Sequence, residues 1–210
     1  MKLLDKFYVR FFVSSGFPYA AYLRNKGVFH CQGDSCFISK AANIPDPHLV
    51  KLGDNVWITA GCQLLCHDAS VIMINIMRKG HRDRVGPIVF GSNSFLGNNV
   101  IVLPGTGIGS KTIVGAGSVV TGDIPDNSVF AGNPARLICD FKDYVLRIED
   151  ETRTYPWLNL LKQHERHVYD PRLEHQLRAA RVKYFFTDHS DASEQKRKAE
   201  RLPKNGSQQG

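Results

Sequence analysis

A six-residue repeat runs through LGNNVIVLPGTGIGSKTIVGAGSVV, residues 96–120, and decides the fold. An apolar side chain recurs at every sixth position, and a small or β-branched side chain usually precedes it by two positions. The apolar series comprises Leu52, Ile58 and Leu64 and then Phe90, Leu96, Val102, Ile108, Val114 and Val120. Neither an α-helix nor an ordinary strand has this period.

A parallel β-helix fits the repeat, because short extended segments form flat faces and three hexads close one triangular coil. Equivalent apolar side chains then stack along the axis and fill a narrow core. Glycine, asparagine and aspartate tolerate the corner conformations, as in GDN at 53–55 and GNN at 97–99. A β-sandwich would need turns about every 8–12 residues, which the strict period of six does not supply.

The frame is broken between Leu64 and Phe90, which predicts an inserted loop, and it ends after residue 138. Beyond that point Leu173, Leu177 and Tyr184 have helical spacing. The chain is therefore predicted to be mainly β. An N-terminal element over 1–27 is expected to pack on the body, and the β-helix is expected over 28–138 with an insertion at about 71–86. C-terminal helices are expected over 139–187 and a disordered tail over 188–210.

Composition and charge limit the partners of the 210-residue chain. Its net charge is +7, and its densest basic segment is RKGHRDR, residues 78–84. One short segment fits a local anionic ligand better than a nucleic-acid face. The apolar runs are too short to span a bilayer, and contact of the N-terminus with a membrane surface is the minor alternative. Five cysteines without zinc spacing predict reduced thiols, a cytoplasmic location and no metal.

Two motifs, IGSKTIVGAGSVVTGDIP at 108–125 and AGNPARLI at 131–138, resemble those of the hexapeptide-repeat acyltransferases. The resemblance implies a left-handed parallel β-helix that the second motif closes. It also implies acetyl-CoA as the acyl donor and a homotrimer with each active site between two subunits and the inserted loop reaching a neighbour.

The resemblance implies a general base at His67, where sugar and xenobiotic members of the family carry a catalytic histidine just before the loop. A neutral imidazole can accept the proton of an attacking hydroxyl at neutral pH. Asp68 is a candidate to orient this imidazole, and stabilising a turn is its alternative role, because neighbours on an extended segment point to opposite faces. His81 and Asp83 are the competing acid–base candidates.

The resemblance also places the acyl donor. An amide at the corner around Gly97 is expected to stabilise the oxyanion. Gly122 stands where many relatives carry a lysine, so Lys111 or, preferably, Arg136 is expected to bind the phosphates. The pantetheine arm is expected to run between coils along Asn98, Ala116, Gly117 and Thr121.

The predicted acceptor is a sugar hydroxyl of a capsular or lipopolysaccharide glycan in a bacterium. An anionic sugar, such as a sialic or uronic acid, fits the basic segment beside the predicted base. The expected acceptor contacts are Arg78, His81, Arg82, Arg84 and Phe95, the last replacing a family tryptophan. The rival role for these arginines is binding of the CoA phosphates or of a neighbour's carboxylates.

The sequence leaves other functions open. They are a xenobiotic acetyltransferase of the chloramphenicol or streptogramin type, a nucleotide-sugar N-acetyltransferase and an inactive scaffold subunit. A γ-class carbonic anhydrase is disfavoured, because residues 90–138 contain no histidine to bind zinc.

Overall fold

A computed structural model describes Val9, residues 11–163 and residues 170–188. The chain divides into two units, Met1–Val145 and Leu146–Gly210. The elements up to the division are α1 (Phe17–Asn25), β1 (Cys31–Gln32), β2 (Phe37–Ile38), a 3-10 turn (Pro47–Leu49), β3 (Val50–Leu52), β4 (Trp57–Ile58), β5 (Gln63–Leu64), α2 (Ser70–Arg78), β6 (Ile88–Phe90), β7 (Ser94–Leu96), β8 (Ile101–Val102), β9 (Gly107–Ile108), β10 (Thr112–Val114), β11 (Val119–Val120), β12 (Ser128–Ala131), β13 (Arg136–Asp140) and α3 (Phe141–Arg153), within which the division falls.

The strands form three sheets, and consecutive strands from β3 to β11 enter them in turn. Sheet 1 has the order β1-β3-β6-β9, sheet 2 the order β13-β12-β10-β7-β4-β2, and sheet 3 the order β11-β8-β5. Pairing is parallel except between β12 and β13, and Leu96 lies beside Val114, three hexads further on. The period of six therefore builds three-sided coils of parallel strands, as the sequence predicts, and the hand of the coil stays a prediction.

The repeat positions form the core. All nine apolar residues of the series are at most 2% exposed. The smaller inward-facing residues close the corners, because the hydroxyls of Ser94, Thr106 and Ser118 each donate to the carbonyl three residues earlier at 2.6 to 2.7 Å. Buried carbonyls at a tight corner need such donors, which explains why serine and threonine recur there.

Each of the three edges of the coil joins two sheets and takes its name from them. Edge 1–2 contains Asn55, Asn93 and Lys111, and edge 2–3 contains residues 97–99 and 115–118. Edge 3–1 contains residues 65–87 and 121–123. Sheet 2 is thus the side of the coil opposite edge 3–1.

The chain leaves the coil at edge 3–1 between β5 and β6, and this excursion carries α2. Its two ends are tied together at the root. The Asp68 amide donates to the Arg84 carbonyl at 2.9 Å, and the Gly86 amide donates to the Cys66 carbonyl at 2.9 Å. An antiparallel bridge joins His67 to Val85. The root of the excursion is therefore an extension of the hydrogen-bonded coil.

The chain after the coil differs slightly from the predicted boundary. Strand β13 runs antiparallel to β12 and continues to Asp140, so the C-terminal helices begin at Phe141 rather than at 139. Pairing with β12 extends the backbone ladder past the last hexad, which a search for the period of six does not detect.

The second unit contains the remainder of α3, α4 (Leu158–Leu161), α5 (Pro171–Lys183) and a π-helical turn (Tyr184–Asp188). The Trp157 ring stacks on Tyr155 with centroids 4.5 Å apart, and Leu177 is buried. Most of the predicted tail and the first eight residues of the N-terminal element lie outside the described residues. Within the described part of the chain, no helix has the length and apolar character needed to cross a membrane.

We expect that the neighbouring coil leaves no room for a side chain at Gly91. A Cβ atom there would lie 2.5 Å from the Ser110 amide nitrogen, whereas a Cβ at Gly122 would meet nothing within 4 Å. Gly91→Ala should therefore lower the free energy of unfolding by about 1–3 kcal/mol through overpacking. Gly122→Ala should change it by less than about 0.5 kcal/mol. Chemical denaturation measures both, and equal midpoints would contradict close stacking at Gly91.

Candidate active site

His67 stands at the root of the excursion and contacts a carboxylate from the preceding coil. Its Nδ1 lies 2.7 Å from Asp46 Oδ2. A carboxylate only accepts hydrogen bonds, so Nδ1 is the donor of this contact, and in the neutral imidazole the lone pair is then on Nε2. The His67 side chain is 45% exposed and that of Asp46 is 22% exposed. The imidazole is therefore both oriented and accessible.

The coil holds Asp46 in place from two directions. Pro45 and Pro47 flank it and restrict the backbone. The Leu49 amide donates to the Asp46 carbonyl at 3.0 Å and closes the 3-10 turn. A bridge between Asn43 and Gln63 sets the two coils side by side. The carboxylate is thus fixed below His67 before any substrate binds.

The structure corrects the role predicted for Asp68 as the residue that orients His67. Asp68 Oδ1 accepts from the Ser70 amide at 3.0 Å, and Asp68 Oδ2 lies 3.2 Å from Arg84. The hydrogen bonds from Ser70 and then the charge of Arg84 lower the pKa of Asp68. Adjacent side chains on the extended root point to opposite faces, so Asp68 stabilises the turn and Asp46 contacts the histidine.

Cys66 precedes His67 but has no access to solvent. Burial raises the pKa of its thiol, and the nearby charge of Asp46 raises it further. A buried neutral thiol is a poor nucleophile. All five cysteines are free, and among the described residues no three His, Cys, Asp or Glu side chains come together as metal ligands.

The basic segment follows α2 and lies beside the root of the excursion. Arg78, His81, Arg82 and Arg84 are all exposed. The Arg82 backbone is held by Asn75, whose amide group exchanges two hydrogen bonds with it at 2.7 and 2.8 Å. Of the four, only Arg84 has an ion pair among those of the described residues. The segment therefore presents cationic side chains from a braced loop.

The residues expected to bind the acyl donor lie on three different edges. Thr121 and Arg136 line a cavity of about 160 Å³ at edge 3–1, the edge that also carries His67. Thr121 lies two coils from His67, roughly 10 Å along the axis at about 4.8 Å per coil. The remaining expected donor contacts at edge 2–3 are Gly97, Asn98, Ala116 and Gly117. Lys111 lies at edge 1–2, apart from both groups.

The structure changes the roles expected for Gly97 and Phe95. The Gly97 amide donates to the Val114 carbonyl at 2.8 Å, so the backbone ladder uses this predicted oxyanion donor. Phe95 is on the outer face of sheet 2, with its ring centroid 6.4 Å from that of Trp57. Within one chain Phe95 therefore lies on the side opposite His67 and is not part of the same cavity.

Sequence reasoning missed Asp46. The first coil is longer than the others, because Cys31 pairs with Lys51 and Phe37 with Trp57, two residues more than three hexads. The frame of six therefore does not extend to Asp46. The detectable signal is the run PDP at 45–47, a carboxylate between two rigid residues.

Comparison with known proteins gives the family. Galactoside O-acetyltransferase of Escherichia coli K12 is 39% identical over 100 residues, which are 48% of this chain and 48% of that protein. Protein CapG of Staphylococcus aureus is 38% identical over 126 residues, 59% of this chain and 70% of CapG. The chain belongs to the hexapeptide-repeat acyltransferase family.

The match is partial in length. The chain spans about half the length of the galactoside O-acetyltransferase and of several staphylococcal acetyltransferases. A hexapeptide-repeat acetyltransferase from Vibrio cholerae, solved with acetyl coenzyme A, aligns with a TM-score of 0.46 at 25% identity over 59% of this chain and 76% of that one. No protein-family model matches the chain.

We expect the pKa of the Asp68 carboxyl to depend on Ser70. Ser70→Ala removes the hydroxyl hydrogen bond and should raise this pKa towards 3.8, whereas Ser70→Thr should leave it low. Because folding lowers the pKa, the carboxylate stabilises the turn fully above pH 3.8 and loses this effect as the pH falls through the lowered value. Carboxyl carbon NMR measures the midpoint, and an unchanged value in Ser70→Ala would contradict the assignment.

Proposed function

We propose that the chain transfers an acetyl group from acetyl-CoA to a sugar hydroxyl, with His67 as the general base. The contact between His67 Nδ1 and Asp46 Oδ2 at 2.7 Å carries this proposal. It fixes the imidazole on a rigid coil and directs Nε2 to an accessible surface. Membership of the acyltransferase family and the similarity to galactoside O-acetyltransferase support the same reaction.

The reaction requires two proton transfers, from the sugar hydroxyl to His67 and then from His67 to the CoA sulfur. The sugar hydroxyl oxygen attacks the thioester carbonyl while His67 Nε2 takes the hydroxyl proton. The imidazolium that forms is stabilised by the carboxylate of Asp46. When the tetrahedral intermediate collapses, the carbon–sulfur bond breaks and His67 returns the proton to the CoA sulfur. The products are the sugar acetate and free CoA.

The acyl donor would contact two edges of the coil. Thr121 and Arg136 share edge 3–1 with His67, and Arg136 would pair with phosphates. Asn98 and Gly117 are on edge 2–3, on the far side of sheet 3. The Asn98 amide donates no hydrogen bond among the described contacts, which suits it, rather than Gly97, to the oxyanion.

The two edges favour an active site shared between copies. A strand and its corners in sheet 3 measure roughly 15 Å, too far for both edges to face one thioester carbonyl. We propose a homotrimer of left-handed coils in which edge 2–3 of one copy faces edge 3–1 of the next. The base and the oxyanion donor then come from different subunits.

The basic segment favours an anionic acceptor. Arg78, His81 and Arg82 are exposed beside the excursion root and can pair with a carboxylate of the acceptor. We propose a sialic or uronic acid of a capsular polysaccharide or lipopolysaccharide, acetylated in the bacterial cytoplasm where acetyl-CoA is made.

Replacement of the base tests the reaction. In a thiol-release assay with acetyl-CoA and a panel of neutral and anionic glycans, chloramphenicol and nucleotide-linked amino sugars, His67→Ala should lower kcat/KM by about 100-fold or more. His81→Ala is the matched control and should keep kcat, with a higher KM for an anionic glycan. Turnover that survives in His67→Ala but not in His81→Ala would assign the base to His81.

Asp46 is a positioning residue with a separate signature. Asp46→Asn keeps the size of the side chain but removes the charge that stabilises the imidazolium. We expect kcat to fall about 10- to 100-fold with KM nearly unchanged, because the imidazolium formed in the transition state loses its counter-charge. Asp68→Asn should move neither quantity by as much as twofold. Equal kcat values for wild type and Asp46→Asn would limit Asp46 to a structural role.

A further inference from the structure

One corner position of edge 1–2 has a left-handed backbone conformation in five successive coils. The φ angles lie between 52° and 60°, and the residues are Ser35, Asn55, Asn93, Lys111 and Asn127. Asparagine adopts this conformation more readily than lysine, because its short side chain can form local hydrogen bonds. Lys111 therefore departs from the pattern of its own chain. A residue kept in an unfavourable conformation points to a role other than folding.

Side-chain hydrogen bonds run along this corner and stop at Lys111. Trp57 Nε1 donates to Asn55 Oδ1 at 2.8 Å, and Asn55 Nδ2 donates to Asn93 Oδ1 at 2.9 Å. An asparagine at position 111 could accept the next hydrogen bond, from Asn93 Nδ2, whereas lysine only donates. Asn93 Nδ2 and Lys111 Nζ have no hydrogen-bond partner among the described residues, and both residues are exposed. Two donors from neighbouring coils, spaced about 4.8 Å apart, are thus available to a ligand.

A row of mainly aromatic side chains lies beside this corner, two residues further along each coil. Phe37, Trp57 and Phe95 are paired across the strands on the outer face of sheet 2, and Ile113 continues the row. The Phe37 and Trp57 rings are stacked with centroids 4.7 Å apart. Phe95 is 38% exposed. The row therefore presents flat apolar surfaces on a rigid sheet.

The polar corner and the aromatic row line one cleft. It has a volume of about 630 Å³, within the usual range of ligand pockets, and Phe141 at the start of α3 also lines it. Trp57 and Phe95 supply apolar surface, and Asn93 and Lys111 supply hydrogen-bond donors on the side of edge 1–2. A pyranose ring matches this combination, because its C–H groups form an apolar face and its oxygens lie around the edge.

Among the described residues that line the cleft, only Lys111 is charged. Other charged residues are close to the lining residues in sequence or in the next coil, namely Asp54, Asp126, Asp140, Lys142 and Asp143. Asp54 and Asp126 accept hydrogen bonds from backbone amides at 2.8 and 2.7 Å. The other three sum to a charge of −1. Attraction of an anion therefore depends on direct contact with Lys111 and not on the field of the surrounding surface.

We propose that this cleft is a carboxylate subsite, which binds one sugar-acid unit of a glycan. Lys111 Nζ and Asn93 Nδ2 donate to the carboxylate oxygens, and the apolar face of the sugar ring lies on Trp57 and Phe95. The subsite rests on the proposed glycan acceptor and deepens it, because it assigns the residue that selects sugar acids. Within one chain the cleft is on the side opposite edge 3–1, so the unit bound there differs from the unit at that chain's own His67.

Binding of matched oligosaccharides tests the subsite. Hexamers of galacturonic acid and of sialic acid carry the carboxylates, and their methyl esters present the same sugars without charge. In a Trp157→Phe background, Trp57 is the remaining tryptophan and reports binding at the cleft through its fluorescence. We expect Lys111→Asn to weaken binding of an acid hexamer about 10-fold and to leave binding of its ester unchanged. Lys51→Gln, which removes an exposed cation from sheet 1, is the control and should change neither by as much as about twofold.

Stability separates a lost ligand contact from a damaged fold. Asparagine restores the pattern of the corner, so the denaturation midpoint of Lys111→Asn should rise while its affinity for the acid falls. Lys111→Arg keeps the charge and should retain the affinity within about threefold. An unchanged dissociation constant in Lys111→Asn would overturn the proposal. So would equal affinities of the wild type for the acids and their esters, or equal losses in Lys111→Asn and Lys51→Gln.

The carboxylate subsite and the proposed function fail separately. Binding of an acid hexamer through Lys111, without acetyl transfer to any acceptor, keeps the subsite and removes the proposed function. Acetyl transfer with the same KM for the glycan in the wild type and in Lys111→Asn keeps the function and removes the subsite. An increase confined to the KM for acetyl-CoA would assign Lys111 to the donor phosphates and would also remove the subsite.

Discussion

Backbone hydrogen bonding between successive coils is the constraint on which the rest of the structure depends. Each strand pairs with the strand three hexads away, so the side chains of one coil lie directly over those of the next. Apolar side chains must therefore recur in register, and glycine must stand at corners where a Cβ atom would lie within 3 Å of the next coil. The same register places Asp46 below His67, because both belong to one edge in neighbouring coils.

The excursion shows how such a scaffold acquires a site without losing its order. The chain leaves edge 3–1 only after the ladder has paired Cys66 with Gly86 and Asp68 with Arg84. His67 is held between these two pairs and inherits their rigidity. The residues beyond the root have a different character, with an apolar helix and a cationic loop that present their side chains outward. Precise geometry and adaptable recognition thus occupy adjacent parts of one segment.

A triangular coil separates its three edges, and this limits what one chain can do. The proposed base, the proposed oxyanion donor and the aromatic residue expected at the acceptor lie on two edges and on the sheet opposite the first. No movement of a short corner brings them together. On the proposed function, association of copies brings them together.

The sequence by itself determined the coil, because a period of six is read directly from the apolar positions and repeats the same local geometry at each corner. It also determined that His67 opens the excursion, since the frame breaks immediately after it. Only the tertiary structure decided that Asp46, not Asp68, contacts His67, and that Phe95 and Lys111 lie away from it. A one-dimensional pattern gives the position of a residue within its hexad. Which residues meet across coils depends on the length of each coil, and the two additional residues of the first coil became visible only in the strand pairing.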